Sequence, residues 1–330
     1  MLHVRRNRAG WSLLVSLACA SATGVAQAPE VKPAKVVQNA AAKELVARVE
    51  AAEAALGGIR LRLSTRGELP GGLAIETHGE IRVLRAKQPE ERTRTYTELD
   101  YSFGVGMRGR MATAQTDEGI LIYEEDPAFG AVFVQVPPAI VVDLEWAATV
   151  LQRNDLPGMA DARAQSPLGS GVIEDLTKAF LLTVDDGEGR SAHAGEAGTW
   201  LVGSRKPGLD ANDPELPLAD RVELFVRERD QALLVLRHFV GDKVVQEVHV
   251  EEVEVDPAFD AAAFRVDGHG VRVRSVREHA PVWSQIEAVL EKAEVQCKAK
   301  DPVQRARPSR RREVAEELQR ESANGTSGGK

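Results

Sequence analysis

The sequence DRVELFVRERDQALLVLRHFVGDKVVQEVHVEEVEVDPAFDAAAFRVDGHGVRV, from Asp220 to Val273, decides the fold. The branched aliphatic residues Val222, Leu224 and Val226 alternate with Glu223, Phe225 and Arg227, the period-2 pattern of a strand in a sheet whose two faces differ. Gly241-Asp242 is typical of a tight hairpin between two such strands. The stretch therefore predicts three long antiparallel strands, an acidic, Ala-rich corner and a short closing strand. A sheet of this size has to enclose something, and no catalytic motif lies on it.

Residues 1–28 have the composition of a secretory signal peptide. Arginines precede a short apolar run, which ends in Ala26-Gln27-Ala28, an A-x-A site. We expect cleavage after Ala28 and export to the periplasm or cell envelope, because the run is too short to span a membrane. Cys19 offers an alternative, in which the mature chain is lipid-anchored through that residue. The next residues, 29–36, form a short linker with proline and lysine.

The mature chain is acidic, with a net charge of −11 after cleavage. The body from Pro29 to Cys297 carries −15, whereas the tail from Lys298 holds nine basic and five acidic residues. An acidic body repels nucleic acid and anionic membranes, so we expect no nucleic-acid partner. Cleavage leaves Cys297 as the one cysteine, which excludes an intramolecular disulfide.

Periodicity predicts a helix, then a long meander of strands. A helical stripe runs from Ala40 to Leu56 and ends at Gly57-Gly58. The strands that follow are predicted around residues 59–64, 73–83, 99–103, 107–114, 120–123 and 131–136. A proline-led helix then extends to Leu151, a second helix from Gly171 to about Leu182, and a strand from Thr199 to Ser204.

The C-terminal part begins with a helix at Pro281, whose stripe of Trp283, Ile286, Leu290, Ala293 and Cys297 predicts docking on the body. From Asp301 we expect disorder, with a transient helix around Glu313–Arg320. The fold class is therefore α+β: a curled, largely antiparallel β-sheet forms a half-open barrel capped by helices. We place the barrel domain at residues 37–280, the docking helix at 281–300 and the basic tail at 301–330.

Enzymatic motifs find little support. Gly104 to Gly109 spells G-x-G-x-x-G, but it lacks the strand-to-helix context of a dinucleotide site and predicts a glycine-rich hairpin. Ser170 lacks a nucleophile-elbow frame and predicts a helix cap. His238 and His249 on adjoining strands, with Glu251 nearby, outline a metal site of too few ligands, so we interpret them as solvent-facing. We expect a protein that is not an enzyme and has no cofactor or metal.

Four segments resemble the periplasmic outer-membrane lipoprotein carrier superfamily, the LolA-like fold. They span Ala40 to Ser275 in the family's order. The segments are the strand Gly79–Arg85; Thr116–Tyr123 with Asp126-Pro127; the capping helix Pro138–Leu151; and Asp260–Phe264 with Gly270–Val273. The chain departs from the pattern at Ala86 and at Asp267-Gly268-His269, where the family has prolines, and its basic tail has no counterpart.

The apolar interior of such a half-barrel suits a lipid, and the resemblance implies a carrier with an acyl-chain cavity. The candidate cavity residues are the inward stripes Leu61, Leu63, Ile81, Val83, Leu99, Tyr101, Phe103, Val132, Val134, Leu224 and Val226. The resemblance also implies a gating role for Arg85, although a strand-end surface arginine is an equal alternative. The expected partners are a lipid or acylated lipoprotein and an envelope membrane protein. The competing hypothesis is an envelope scaffold or sensor domain with a filled core.

Overall fold

The computed structural model describes residues 40–69, 72–88, 91–104, 106–152, 166–187, 190–209, 219–260 and 262–325. The predicted signal peptide and linker lie outside these residues. The helices are α1 (Ala40–Ala55), α2 (Pro138–Leu151), α3 (Ser170–Ala179), α4 (Ala280–Gln296), α5 (Pro302–Arg305) and α6 (Arg311–Gly325). The strands are β1 (Gly58–Leu69), β2 (Leu73–Leu84), β3 (Arg94–Phe103), β4 (Met107–Thr116), β5 (Gly119–Asp126), β6 (Gly130–Val136), β7 (Phe180–Asp185), β8 (Ala192–His193), β9 (Glu196–Arg205), β10 (Arg221–Arg227), β11 (Leu233–Val240), β12 (Lys243–Val255) and β13 (Arg274–Ser275).

The strands form one open, curled sheet in the order β13-β6-β5-β4-β3-β2-β1-β12-β11-β10-β9-β7, with β8 paired to β9. Every pairing is antiparallel except the two-residue contact of β13 with β6. The register shifts at Arg62/Leu63, Phe225/Val226 and His238/Phe239. Shifts of this kind bend and twist a strand, which is how a flat meander becomes a half-barrel. The α+β half-open barrel expected from the sequence is confirmed.

One face of the sheet carries the helices. Register places Val134, Ile122, Thr113, Thr97, Ile81, Leu61 and Val253 in one row across seven strands, so these residues share that face. A first core joins α1 and α3 to β1, β2, β7 and β9–β12, with Leu45, Val49, Ile173 and Leu176 among its helical members. A second core joins α2 and α4 to β5 and β6, with Ile140, Leu144, Ile286 and Leu290 among its helical members.

The strand and helix predictions hold for most of the chain, with three corrections. The predicted second helix ends at Ala179, because Phe180–Asp185 pairs with β9 as a strand. β10 does not have unequal faces, since Glu223, Phe225 and Arg227 are buried as well as the residues between them. The closing strand is Arg274–Ser275, just beyond the predicted Gly270–Val273, and it is parallel to β6.

The C-terminal segment also differs from the prediction, because it contains helices where the sequence predicts disorder. α5 and α6 are joined by a 3₁₀ turn at Pro308–Arg310. Within this segment Ala306 is buried, and Ser309 donates two hydrogen bonds to the buried Asp143 carboxylate of α2. A basic composition indicates disorder only when nothing holds the chain, and here α2 and α4 supply the partners. α4 packs against α2 through Ile286, Leu290 and Ala293 of the predicted stripe.

Candidate functional site

The helix-bearing face has a central strip of residues, none of which is a buried member of either core. It consists of the residues of β3 and β4 on that face: Thr95, Thr97, Leu99, Tyr101 and Phe103, and Met107, Gly109, Met111, Thr113 and Gln115. β3 and β4 separate β1–β2, which carry the first core, from β5–β6, which carry the second. The strip is therefore the part of the concave face that lies between the two helix pairs.

Two glycines leave space for the side chains that floor the strip. A Cβ on Gly109 would lie 2.3 Å from the Tyr101 ring, so that ring lies directly over Gly109. A Cβ on Gly79 would lie 2.5 Å from Leu99 Cδ2, so Leu99 lies over β2 toward the first core. The Tyr101 ring also contacts Phe103 edge-on at a centroid distance of 5.2 Å. The half of the strip near the hairpin is therefore apolar, with Leu99, Tyr101 and Phe103 on β3 and Met107 and Met111 on β4.

Burial along the strip changes from one end to the other. Thr95 and Thr97 are buried, at the end where Arg92 pairs with Glu145 of α2 (2.9 Å). Met111 and Phe103 are half-buried, and Met107 is exposed at the hairpin end. The strip is therefore covered near α2 and open near the β3–β4 hairpin.

Glu124 places a carboxyl group beside the open half of the strip. It lies opposite Met111 and Val132 on the helix-bearing face. Burial raises the pKa of Glu124 to about 7, and the neighbouring Asp126 carboxylate contributes to the rise. This carboxyl group is therefore partly protonated near neutral pH and can donate as well as accept a hydrogen bond there.

The eleven predicted cavity residues divide among three environments. The first core holds most of them: Leu61, Leu63, Ile81, Val83, Leu224 and Val226 as buried members, with Leu99 packed against it. Val134 is buried in the second core and Val132 packs against it. Tyr101 and Phe103 belong to the central strip alone. The structure thus brings Leu99, Tyr101 and Phe103 together and uses the others to pack helices; a lipid cavity lined by this set stays a prediction.

Arg85 lies at the end of β2, remote from the open half of the strip. Its backbone N–H donates to Gly57 O (2.9 Å), and its side chain lies near the buried Glu53 of α1. Burial raises the pKa of Glu53, against the lowering effects of the Ser170 hydroxyl, the Leu168 N–H (2.9 Å) and the Arg85 charge. Ser170 is thus the first residue of α3 and a partner of Glu53; the sequence interpretation of it as a helix cap is wrong, since Gly169 is the N-cap. A gating role for Arg85 stays a prediction.

The two strand histidines do not face each other. His238 is opposite Gln246, and His249 is opposite Val235. Gln246 and His249 are three positions apart, an odd number, so the two histidines lie on opposite faces. His238 is only 3% exposed and both ring nitrogens lack a hydrogen-bond partner in the described part of the chain, so the interpretation of it as solvent-facing is wrong. Among the described residues, no group of three or more His, Cys, Asp or Glu side chains could hold a metal ion.

The G-x-G-x-x-G segment is the predicted hairpin, joining β3 to β4 with Gly104 and Gly106 at positive φ.

The sequence alone did not lead to Met111, Thr113 and Glu124 as site residues. Glu124 had a readable signal, because it continues the inward alternation of Ile120 and Ile122 with a carboxyl group. The threonines and Met111 had none, since polar or flexible residues in a strand usually indicate its solvent face.

No helix within the described ranges combines the length and apolarity needed to cross a membrane. No protein-family model matches the chain. No curated protein matches it in sequence either.

Solved structures similar to this chain include an uncharacterized conserved protein from Thermus thermophilus (13% identity, TM-score 0.36), covering 71% of this chain and 99% of that one. MucB is similar at 11% identity and TM-score 0.37, covering 69% of this chain and 64% of its own. A putative outer membrane lipoprotein-sorting protein domain from Vibrio parahaemolyticus is similar at 9% identity and TM-score 0.23, covering 67% and 94%.

Proposed function

We propose that this chain is an exported envelope protein that binds one acyl chain, of a lipid or an acylated lipoprotein, along the central strip. The observation that carries the proposal is the strip itself: a surface between two helix-packed cores, covered at one end and apolar and open at the other. Burial of an acyl chain contributes about 0.8 kcal/mol per CH₂ group. A long chain could therefore be held without a charged partner, and the proposal involves binding without catalysis.

A filled-core scaffold or sensor domain is the second candidate. Thr95 and Thr97 at the covered end and Tyr101 near the hairpin are already buried by other residues of the chain, which favours side-chain packing over a cavity at these positions. The two candidates differ in what they predict for added ligand. A ligand that binds only the native state raises the melting temperature, so a carrier responds to a fatty acid and a scaffold does not.

Displacement of a fluorescent fatty acid tests the proposal directly. In Met111→Arg a charged side chain enters the strip, and we expect at least a ~10-fold loss of affinity, because a guanidinium group beside an acyl chain is costly to desolvate. Ser102→Arg is the matched control, since Ser102 lies on β3 and faces the other side of the sheet. No saturable binding by the unsubstituted chain, together with no lipid adduct in native mass spectrometry after purification from an envelope extract, would favour the scaffold. Equal losses in both variants would exclude the strip as the site.

A further inference from the structure

Residues 298–312, here called the basic segment, concentrate positive charge in an otherwise acidic chain. The segment contains seven Lys and Arg residues and one acidic residue, Asp301, a net charge of +6. Residues 29–297 carry −15. A chain with this distribution has a strong charge asymmetry and orients in the field of a charged surface.

The structure holds the basic segment in a fixed place against α2 and α4. Arg307 pairs with Glu294 of α4 (3.1 Å), and this arginine is the most buried of the segment's ion-paired side chains. Ser309 donates its backbone N–H to Asp143 of α2 at 2.9 Å, and its hydroxyl group binds the other oxygen of that carboxylate. The buried Asp143 therefore fixes the segment to the helix that lies beside the covered end of the strip.

Of the other cationic groups of the segment, Arg305 and Arg311 donate to the backbone carbonyls of Ala299 and Ala306, and the remaining four are exposed. Lys298 and Lys300 are exposed and make no hydrogen bond or ion pair within the described residues. Arg310 and Arg312 are also exposed and pair with Glu313 (3.9 Å) and Glu316 (2.9 Å) of α6. Exposed pairs of this kind contribute little and exchange readily for other anions.

An exposed aliphatic side chain accompanies these charges. Val295, in the last turn of α4, is 86% exposed and lies three residues before Lys298. Basic side chains next to a protruding apolar residue are the pattern of a protein surface that lies on a lipid bilayer, where headgroup phosphates meet the cations and the apolar group enters the interface.

We infer that the basic segment, together with Val295, is a docking surface for an anionic phospholipid bilayer. Each Lys or Arg close to an anionic bilayer adds to the electrostatic attraction, so a cluster of exposed cations strengthens binding. The acidic body is repelled by the same surface, so the molecule would bind in one orientation, with α2 and α4 toward the lipid. An acidic protein would satisfy the lysines and arginines but would leave Val295 in water. The inference is independent of acyl-chain binding in the strip.

Co-sedimentation of the full chain with phospholipid vesicles tests the inference. We expect binding to vesicles of equal parts phosphatidylcholine and phosphatidylglycerol, little binding to phosphatidylcholine alone, and loss of binding as salt rises from ~0.05 M to ~0.5 M. The variant with Lys298, Lys300, Arg310 and Arg312 changed to glutamine should lose ~10-fold or more of its affinity for the mixed vesicles. Val295→Ser should weaken binding at every salt concentration.

A matched control separates local charge from net charge. It changes four exposed basic residues of the body to glutamine, which alters the net charge equally: Arg62, Arg66, Lys178 and Arg229. This control should keep full vesicle binding. Equal loss in both variants, equal binding to phosphatidylcholine alone, or no binding to the mixed vesicles would each overturn the inference. Fatty-acid displacement should be unchanged in the basic-segment variant, so failure of this inference and failure of the proposed function are distinguishable.

Discussion

A neutral histidine among apolar side chains is the least compensated polar residue of the described chain. His238 faces the helix side of β11 with Val222 opposite it on β10, and neither ring nitrogen has a hydrogen-bond partner among the described residues. Burial lowers the pKa of His238 to about 4, from 6.5 in a solvated chain. The residue therefore makes stability depend on pH although no function requires it.

Acid should weaken the fold through His238. Between about pH 6.5 and pH 4 the unfolded chain binds a proton at this residue and the folded chain does not, so stability is complete above the unfolded pKa and falls as pH decreases. The loss is at most about 3 kcal/mol. Urea unfolding at several pH values should show that His238→Leu removes this part of the acid sensitivity, whereas His78→Leu, at an exposed strand position, leaves it. If the free energy of unfolding of the two variants depended on pH in the same way, His238 would be solvated in the folded chain.

Glu124 should act in the opposite direction. Its folded pKa is raised to about 7, so the folded chain keeps a proton that the unfolded chain loses, and stability is lost as pH rises through about 7. We expect Glu124→Gln to match the unsubstituted chain in melting temperature near pH 5 and to exceed it near pH 8. Glu118→Gln, at an exposed turn position, is the control and should not change this difference. A Glu124→Gln chain that melts lower at both pH values would contradict the raised pKa.

At the scale of elements, the packing of β3 and β4 depends on a glycine at the point where the Tyr101 ring lies against the backbone. Gly109→Ala puts a Cβ within 2.3 Å of the Tyr101 ring, which has to move, and we expect a loss of about 1–3 kcal/mol. Gly67→Ala in β1 meets nothing closer than 3.5 Å and should change the stability by less than ~1 kcal/mol. Denaturant midpoints measure both. Similar midpoints for the two variants would mean that the ring does not rest on Gly109.

The attachment of the C-terminal segment to α2 should depend on the hydroxyl group of Ser309. Ser309→Ala removes one of the two hydrogen bonds to the buried Asp143 carboxylate and should cost about 1–2 kcal/mol. It should also make the chain after α4 more susceptible to limited proteolysis. Ser284→Ala removes an exposed hydroxyl group that bonds its own helix at Pro281 O, and should change neither quantity. Unchanged proteolysis in Ser309→Ala would mean that the Ser309 hydroxyl group does not hold the segment against α2.

The same elements show what sequence can and cannot predict. The alternation at Val222–Arg227 and the stripe of α4 are local patterns, and both elements formed as predicted. The sequence did not indicate β7, because Leu181 and Leu182 continue the apolar spacing of α3, although its partner β9 follows closely in the chain. The tie between Asp143 and Ser309 spans 166 residues, and nothing near Ser309 indicates it. Among the site residues, Leu99, Tyr101 and Phe103 could be found from alternation, but the separation of Tyr101 and Phe103 from the helix cores depends on strand order.

At the scale of the whole molecule, stability should be uneven across the sheet. β10 and β11 are covered on both faces and have strands on both edges, whereas β13 makes a two-residue contact at one end of the sheet. A backbone amide exchanges its hydrogen only when its hydrogen bond opens, and this opening is rarer in a buried strand that is paired on both edges. We expect hydrogen exchange to be slowest in β10 and β11 and fast in β13, as mass spectrometry of peptic fragments would show. Equal protection of β13 and β10 would mean that the sheet opens as a single unit.

The contact between Gly109 and Tyr101 has a consequence for how this chain can diverge. The ring fills the volume that any larger residue at position 109 would need, so the two positions cannot drift independently. Alanine or serine at position 109 should therefore destabilise the fold less where position 101 carries a smaller side chain. Paired substitution at these two positions in related sequences would indicate that the same contact is present there.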